Sequence, residues 1–247
     1  MYFCNMNYGL IGSKLGHSYS KKYFDKLFAQ LQLDNYQYHL IEISEISDIG
    51  LIIEQYQLSG FNVTIPYKEQ IIPLLDGISN EAETIGAVNV VKVKGKQLIG
   101  FNSDAPAFEN TLRPLLQPYH TEALILGTGG ASKAVAYALK KIGIKFTFVS
   151  RNPEQHHCIG YEEAYRRCGN TYLIINTTPV GMSPNVNATP WLQPHKITDK
   201  HLCYDVIYNP ETTLWMQQCK QQGATTKNGL DMLYQQAALS WKIFNEK

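Results

Sequence analysis

Four groups of residues in this 247-residue chain have types and spacings that could do chemistry. In Ser59-Gly60-Phe61-Asn62-Val63-Thr64-Ile65-Pro66-Tyr67-Lys68, an apolar run carrying Asn62 and Thr64 on one face stops at a proline. Pro66 can start a helix, which puts Lys68 in its first turn. A cation there opposes the helix dipole, so Lys68 is either a solvated surface lysine or a group kept for use. Asp104, in Gly100-Phe101-Asn102-Ser103-Asp104, could cap the helix that follows or offer a carboxylate to a lysine elsewhere. Ser18 and Ser20 alternate just ahead of Lys21 and Lys22. They could hydrogen-bond a small anion beside a helix N-terminus, or one of them could simply cap that helix.

The fourth group is Gly127-Thr128-Gly129-Gly130-Ala131-Ser132, which joins an apolar run of strand length to a helix-period pattern. Gly127 can take the tight turn, and Gly129 lets bare backbone approach a pyrophosphate at the helix N-terminus. The glycine spacing of a dinucleotide loop is imperfect, because Ser132 occupies the third position, and a plain strand-to-helix turn is the alternative. The next strand ends in Ser150-Arg151-Asn152. At that strand end an acid suits the free ribose hydroxyl of NAD and a cation the phosphate of NADP, so Arg151 favours NADP.

These groups need elements to hold them, and the chain alternates strand and helix patterns from the start. Strands are predicted over 7–12 and 36–43, with helices running to Leu33, over 45–58 and up to Leu75. The stretch 81–93 reads as a loop and a strand with Asn89 inside it, and 97–101 as the second arm of a hairpin turning at Gly95. A helix follows over 105–116. Pro114, Pro118 and the polar Tyr119-His120-Thr121 place a domain boundary between Asn102 and Thr121. Strands at 144–149 and 173–176, the stretch 201–208, a helix over 212–222, a strand at 224–227 and a last amphipathic helix complete a βαβ pattern. The expectation is two α/β domains: a substrate domain of residues 1–101 with 228–247, and a Rossmann-like NADP-binding domain of residues 102–227, with the active site in the cleft between them.

Composition excludes several classes. With 44% hydrophobic residues, 17% charged and a net charge of +1, the chain lacks the basic excess of a nucleic-acid binder. Its longest apolar runs are strand-sized, which argues against a membrane span, and the N-terminus does not read as a secretory signal, so a cytoplasmic location is expected. Five cysteines (Cys4, Cys158, Cys168, Cys203, Cys219) are odd in number and form no C-x-x-C pair. They read as reduced thiols rather than a disulfide framework or a zinc site, and no metal is expected.

Taken in order along nearly the whole chain, the motifs resemble the shikimate dehydrogenase family. His17-Ser18-Tyr19-Ser20 is similar to the family's paired serines that hold the substrate carboxylate, and the stretch from Asn62 to Lys68 to its signature strand with the active-site lysine. Gly86-Ala87-Val88-Asn89 and Asn102-Ser103-Asp104 resemble the next two substrate motifs. The stretch from Gly127 to Ala131 is similar to the NADP loop, that from Asn176 through Thr177 to Met182 to the nicotinamide-side loop, and that from Gly229 to Gln236 to the C-terminal glutamine motif.

The resemblance implies reversible NADPH-dependent reduction of 3-dehydroshikimate to shikimate, on the route to chorismate and the aromatic amino acids. Hydride delivered to a ketone leaves an alkoxide that must gain a proton, so a donor must lie within reach. By resemblance that donor is Lys68, with Asp104 orienting its ammonium and binding a ring hydroxyl. Ser18, Ser20, Asn62, Thr64, Asn89 and Gln236 would hold the remaining hydroxyls and the carboxylate, and Tyr208 would reach from the cofactor side. Cofactor contacts are implied for Gly127, Thr128, Gly129, Gly130, Ala131, Ser150, Arg151, Thr177, Val206 and Gly229.

The chain departs from the family in two places. The segment from Arg151 to Leu173, which contains His156-His157-Cys158, is short, and neither a full helix nor a second phosphate-binding cation is expected there. Adjacent histidines also lack the spacing of a metal pair on a helix. Thr128 stands where alanine is more usual. An enzyme for quinate or another ring acid, with NAD, is one alternative; the paired serines favour shikimate and Arg151 favours NADP. A ligand-binding relative without activity is another, and Lys68 with Asp104 argues against it. A small-molecule partner and a monomer or homodimer are expected.

Overall fold

A computed structural model describes residues 5–16, 18–155, 158–191 and 193–246. His17, His156 and His157 lie outside the described residues. In chain order the elements are β1 (Met6–Gly12), α1 (Tyr19–Gln30), β2 (Tyr36–Glu42), α2 (Ile49–Tyr56), β3 (Leu58–Val63), α3 (Tyr67–Gln70), β4 (Gly77–Ile78), α4 (Asn80–Ile85), β5 (Val90–Lys94), β6 (Gln97–Phe101) and α5 (Asp104–Leu112). They continue as β7 (Glu122–Leu126), α6 (Gly130–Lys141), β8 (Lys145–Val149), α7 (Tyr161–Arg167), β9 (Leu173–Asn176), β10 (Leu202–Asp205), α8 (Leu214–Gln221), β11 (Thr225–Lys227) and α9 (Leu230–Asn245). Two compact units result, residues 1–103 with 234–247, and residues 104–233. No described helix is long and apolar enough to cross a membrane.

The first unit is built on a six-stranded sheet in the order β2-β1-β3-β5-β6-β4. β2, β1 and β3 run parallel, whereas β5 is antiparallel to both its neighbours. Successive strand residues face opposite sides, so neighbours such as Val90 and Val91 feed two different cores. One core packs Ile11, Ile41, Phe61 and Val91 against Ile49, Tyr67 and Ala82 of α2, α3 and α4. The other is aromatic, with Tyr8 and Tyr38 against Phe24 of α1 and Phe244 of α9. Gly60 makes room for that last helix, since a Cβ there would sit 2.6 Å from the Phe244 ring.

The second unit has a five-stranded, all-parallel sheet in the order β11-β10-β9-β7-β8. Read from β7, this is the doubly wound order 2-1-3-4-5, which reverses direction between β7 and β9. The strands are nearly continuous apolar runs, as burial on both faces demands, and β7 shows Ala123, Leu124, Ile125 and Leu126 all buried. Local chemistry sets α6: Gly129 stands at its N-cap, Lys140 and Lys141 complement its last turn, and Gly143 at φ +79° ends it.

Four local expectations are corrected. The stretch 81–93 is not a loop before a strand, because Asn80–Ile85 is helical, capped by Ser79 (Oγ to Ala82 N, 3.2 Å) and stopped by Gly86 at φ +70°. Asn89 accordingly precedes β5 instead of lying inside a strand. The helix predicted to run to Leu75 stops at Gln70, followed by a separate 3-10 turn at Ile72–Leu74 that carries Pro73. The helix over 45–58 is a 3-10 turn at Ile46–Asp48 and then α2, which ends where Gln57 takes φ +51°. Finally, α7 does form between Arg151 and Leu173, and its cations Arg166 and Arg167 both pair with Glu163.

Candidate active site

In the first unit the sequence-predicted residues gather at one end of the sheet. β1, β3 and β6 all finish there, and the antiparallel β5 starts there, so Asn62, Thr64, Lys68, Asn89 and the turn after Phe101 share that edge. Lys68 is half-buried, the second residue of α3, with its carbonyl accepting from Val88 N at 2.8 Å. Tyr67 pins the same helix by donating its hydroxyl to Ile43 O at 2.7 Å. Because α3 has only four residues, its first turn is also its last, and the dipole argument for a displaced cation has no force. Ser18 is the N-cap of α1, its Oγ accepting from Ser20 N at 3.2 Å, and both serines are buried. A capping hydroxyl accepts from the helix and still has its own hydrogen to donate, so capping and anion binding are compatible. Asp104 is buried as the first residue of α5, not as a cap preceding it.

Three of the predicted substrate residues belong to one buried hydrogen-bond network. Asn62 accepts from the Tyr38 hydroxyl at 2.8 Å and donates both amide hydrogens, to Asn89 O at 3.1 Å and to Ser240 Oγ at 2.8 Å. Asn89 Oδ1 accepts from Ser103 N at 2.7 Å, and its amide donates to Ser103 Oγ at 2.9 Å and, at 3.5 Å, to Gln236 Oε1. Ser103 Oγ lies 3.4 Å from Gln236 Oε1 and 3.3 Å from Ser240 Oγ. Burial pushes the Tyr38 phenol well above its ordinary range, which keeps it a donor to Asn62. Such a network fixes which amide face each side chain presents.

Tyr38, Ser103 and Ser240 were not among the residues expected to serve the site. Ser103 sits inside the Asn102-Ser103-Asp104 motif, and Ser240 lies one helical turn after Gln236, so spacing could have pointed to both. Nothing local marks Tyr38, which reaches Asn62 only through strand pairing.

The second unit holds the glycine turn at its topological switch point, where open α/β sheets bind ligands. Gly127 takes φ +108°, and a Cβ there would sit 2.9 Å from Thr177 Oγ1 and 3.1 Å from Thr178 Cγ2. Glycine is therefore required twice over, by backbone and by the loop after β9. Gly129 differs: its φ is −84° and a Cβ would meet no atom within 4 Å. Neither conformation nor packing asks for glycine at 129, whereas a phosphate approaching bare N–H groups at the start of α6 does. Ser132, in the third glycine place, is buried and donates to Gly129 O at 2.5 Å. The residues present thus fit a dinucleotide pyrophosphate.

Around that turn the other cofactor candidates follow. Thr177 donates its hydroxyl to Leu126 O at 2.6 Å, tying the β9 loop to β7. Ser150 Oγ accepts from Asn152 N at 3.1 Å, a turn that presents the exposed Arg151 just beyond β8. Val206 N donates to Asn176 O at 3.0 Å, and a Cβ on Gly229 would collide with the Val206 carbonyl. Thr128, Gly130 and Ala131 are partly exposed within the turn, and Tyr208 is half-buried three residues beyond β10.

A buried polar network at one sheet edge and a glycine turn at the switch point of a parallel doubly wound sheet define an α/β protein of the dinucleotide-binding class. Residues 10–91 match the family model described as the shikimate dehydrogenase substrate binding domain. The chain is 36% identical to the shikimate dehydrogenase (NADP(+)) of Staphylococcus epidermidis, over 97% of this chain and 92% of the relative. It is 35% identical to that of Carboxydothermus hydrogenoformans, over 95% and 89%. Its fold is similar to the Thermus thermophilus shikimate 5-dehydrogenase solved in complex with NADP(H) and shikimate, with a TM-score of 0.87, 29% identity, and coverage of 97% and 93%. The chain belongs to the shikimate dehydrogenase family.

Proposed function

We infer that this chain is an NADP-dependent shikimate dehydrogenase, an oxidoreductase acting on a CH–OH group that interconverts 3-dehydroshikimate and shikimate. The observation that carries the reading is Gly129, a glycine that the fold itself does not require, at the start of α6 and two residues after Gly127, which packs against Thr177. Bound NADPH supplies the hydride. The domain assignment follows: residues 1–101 with 228–247 take the substrate, and residues 102–227 take the cofactor.

The chain's own groups do the rest. Lys68 donates a proton to the oxygen of the reduced carbonyl, and takes it back in the oxidative direction. Asp104 holds the Lys68 ammonium and accepts from a ring hydroxyl. Ser18 and Ser20 donate to the substrate carboxylate beside the N-terminus of α1, together with Thr64. Asn89 and Gln236, set by the network, hold ring hydroxyls, and Asn62 is the buried hub that fixes them. A substrate lacking one hydroxyl leaves a buried amide unpaired, which is the basis of discrimination. Tyr208, three residues beyond β10, is the remaining substrate contact. Gly127, Thr128, Gly129, Gly130 and Ala131 cradle the pyrophosphate, Ser150 and Arg151 meet the ribose phosphate, and Thr177, Val206 and Gly229 line the nicotinamide half. Cys158, Cys168, Cys203 and Cys219 are free thiols, which suits a reducing cytoplasm. A monomer or homodimer completes the reading.

The test is the purified chain with shikimate and either NADP or NAD, followed by the absorbance of reduced nicotinamide. Turnover with shikimate and NADP is expected. Turnover with quinate alone would move the substrate, and silence with both acids would favour a binding protein without activity.

A further inference from the structure

The carboxyl end of β10 carries a buried carboxylate that none of these roles uses. Asp205 has no exposed surface. Its Oδ1 accepts from Asn176 Nδ2 at 3.0 Å and from Ile207 N at 3.1 Å, and its Oδ2 accepts from Thr213 Oγ1 at 2.8 Å. Each donor leads to a different segment. Asn176 Oδ1 accepts in turn from Thr178 N at 3.0 Å and Thr178 Oγ1 at 2.7 Å, and Thr178 Oγ1 accepts from Val180 N at 3.2 Å, so that amide anchors the first turn of the loop after β9. Ile207 O accepts from Gly229 N at 3.0 Å, which ties the loop after β10 to the start of α9. Thr213 caps α8 through Met216 N at 3.3 Å.

We propose that Asp205 is a positioning residue for the cofactor: by gathering these donors it holds the backbone that presents Thr177, Val206 and Gly229 in a single arrangement. The assignment rests on the NADP reading above. An apolar side chain would fill the end of a buried parallel strand without desolvating a charge, so packing alone does not explain a carboxylate here. Burial pushes its carboxyl up to about 6 against the pull of three donors, and among the described residues no charged partner contributes. Asparagine could keep the arrangement, its oxygen accepting from Asn176 and Ile207 and its amide donating to Thr213 Oγ1. Alanine could not.

The experiment compares full-length wild type with Asp205→Ala, Asp205→Asn and Thr178→Val. It measures the NADPH dissociation constant by fluorescence titration, the KM for shikimate, and the thermal midpoint. Asp205→Ala is expected to weaken NADPH by about tenfold or more while the shikimate KM stays within about twofold, and Asp205→Asn to restore NADPH binding to within about threefold of wild type. Folded Asp205→Ala that binds NADPH like wild type, or that loses NADPH and shikimate equally, overturns the assignment. Where Asp205→Ala does not fold, Thr178→Val decides at the far end of the same chain of bonds. A loss of about fivefold toward NADPH alone is then expected, and an unchanged constant overturns it. Wild type that fails to bind NADPH would show that the cofactor reading itself had failed, and Asp205 would lose its role with it.

Discussion

Lys68 and the two glycines of the turn illustrate what single residues contribute. Lys68→Ala should lower kcat by roughly a hundredfold or more, the size expected when a general acid-base group is lost, and a steady-state assay with shikimate and NADP measures it. Gly127 and Gly129 are two residues apart yet should fail differently. Gly127→Ala forces a side chain into φ +108° and against Thr177 Oγ1, and should reduce stability by about 1–3 kcal/mol. Gly129→Ala meets no neighbour within 4 Å and should leave the unfolding midpoint nearly unchanged. The same substitution should weaken NADPH by about tenfold to a hundredfold, the size of a lost charge-assisted hydrogen bond of about 1.5–3 kcal/mol. Denaturant unfolding and NADPH titration of both variants check the contrast, and a destabilised Gly129→Ala that binds NADPH normally would contradict it.

Elements decide how such residues are held, and here the sequence was legible in part. Strong strand runs and the last helix were readable from periodicity, as were the glycine turn and the hairpin at Gly95. The helix after Pro66 was read from its start but carried past its end at Gln70, and α4 was missed. α4 spans six residues and α3 four, too few for a periodic pattern to register, and both depend on tertiary packing of Ala82 and Tyr67. Asp205, at the end of β10, gives this scale a pH signature. Its folded value of about 6 lies above the ordinary carboxylate value near 4, so between them the folded chain binds a proton that the unfolded chain has lost. Stability from this group is fully present below about pH 4 and falls as pH rises through about 6. Asp205→Asn should abolish that fall, so its stability relative to wild type should rise by about 2–3 kcal/mol between those pH values. Parallel thermal melts across that range test it; a constant difference would show that the carboxylate is not buried as described.

For the whole molecule, the first unit is closed by residues from opposite ends of the chain. Phe244 stacks on Tyr8 with ring centroids 4.9 Å apart and fills the space left by Gly60, while Ser240 completes the hydrogen bonds of Asn62. Phe244→Ala should therefore cost about 3–5 kcal/mol, as truncations of buried aromatics do. A denaturation midpoint close to wild type would mean that α9 is not the element that seals this core.

The residue types and their order were enough to identify the glycine cradle, the arginine beyond β8, the lysine after the proline and the family these motifs resemble, because each depends on local chemistry at short spacing. Only the tertiary structure decided that Asn62 uses both amide hydrogens internally, that Gly127 packs against Thr177, and that Asp205 gathers donors from three segments. Those pairings join residues separated by as many as 178 positions, and a hydrogen bond between side chains that distant leaves no period or motif in the sequence. Strand order places them together, and strand order is a property of the folded chain.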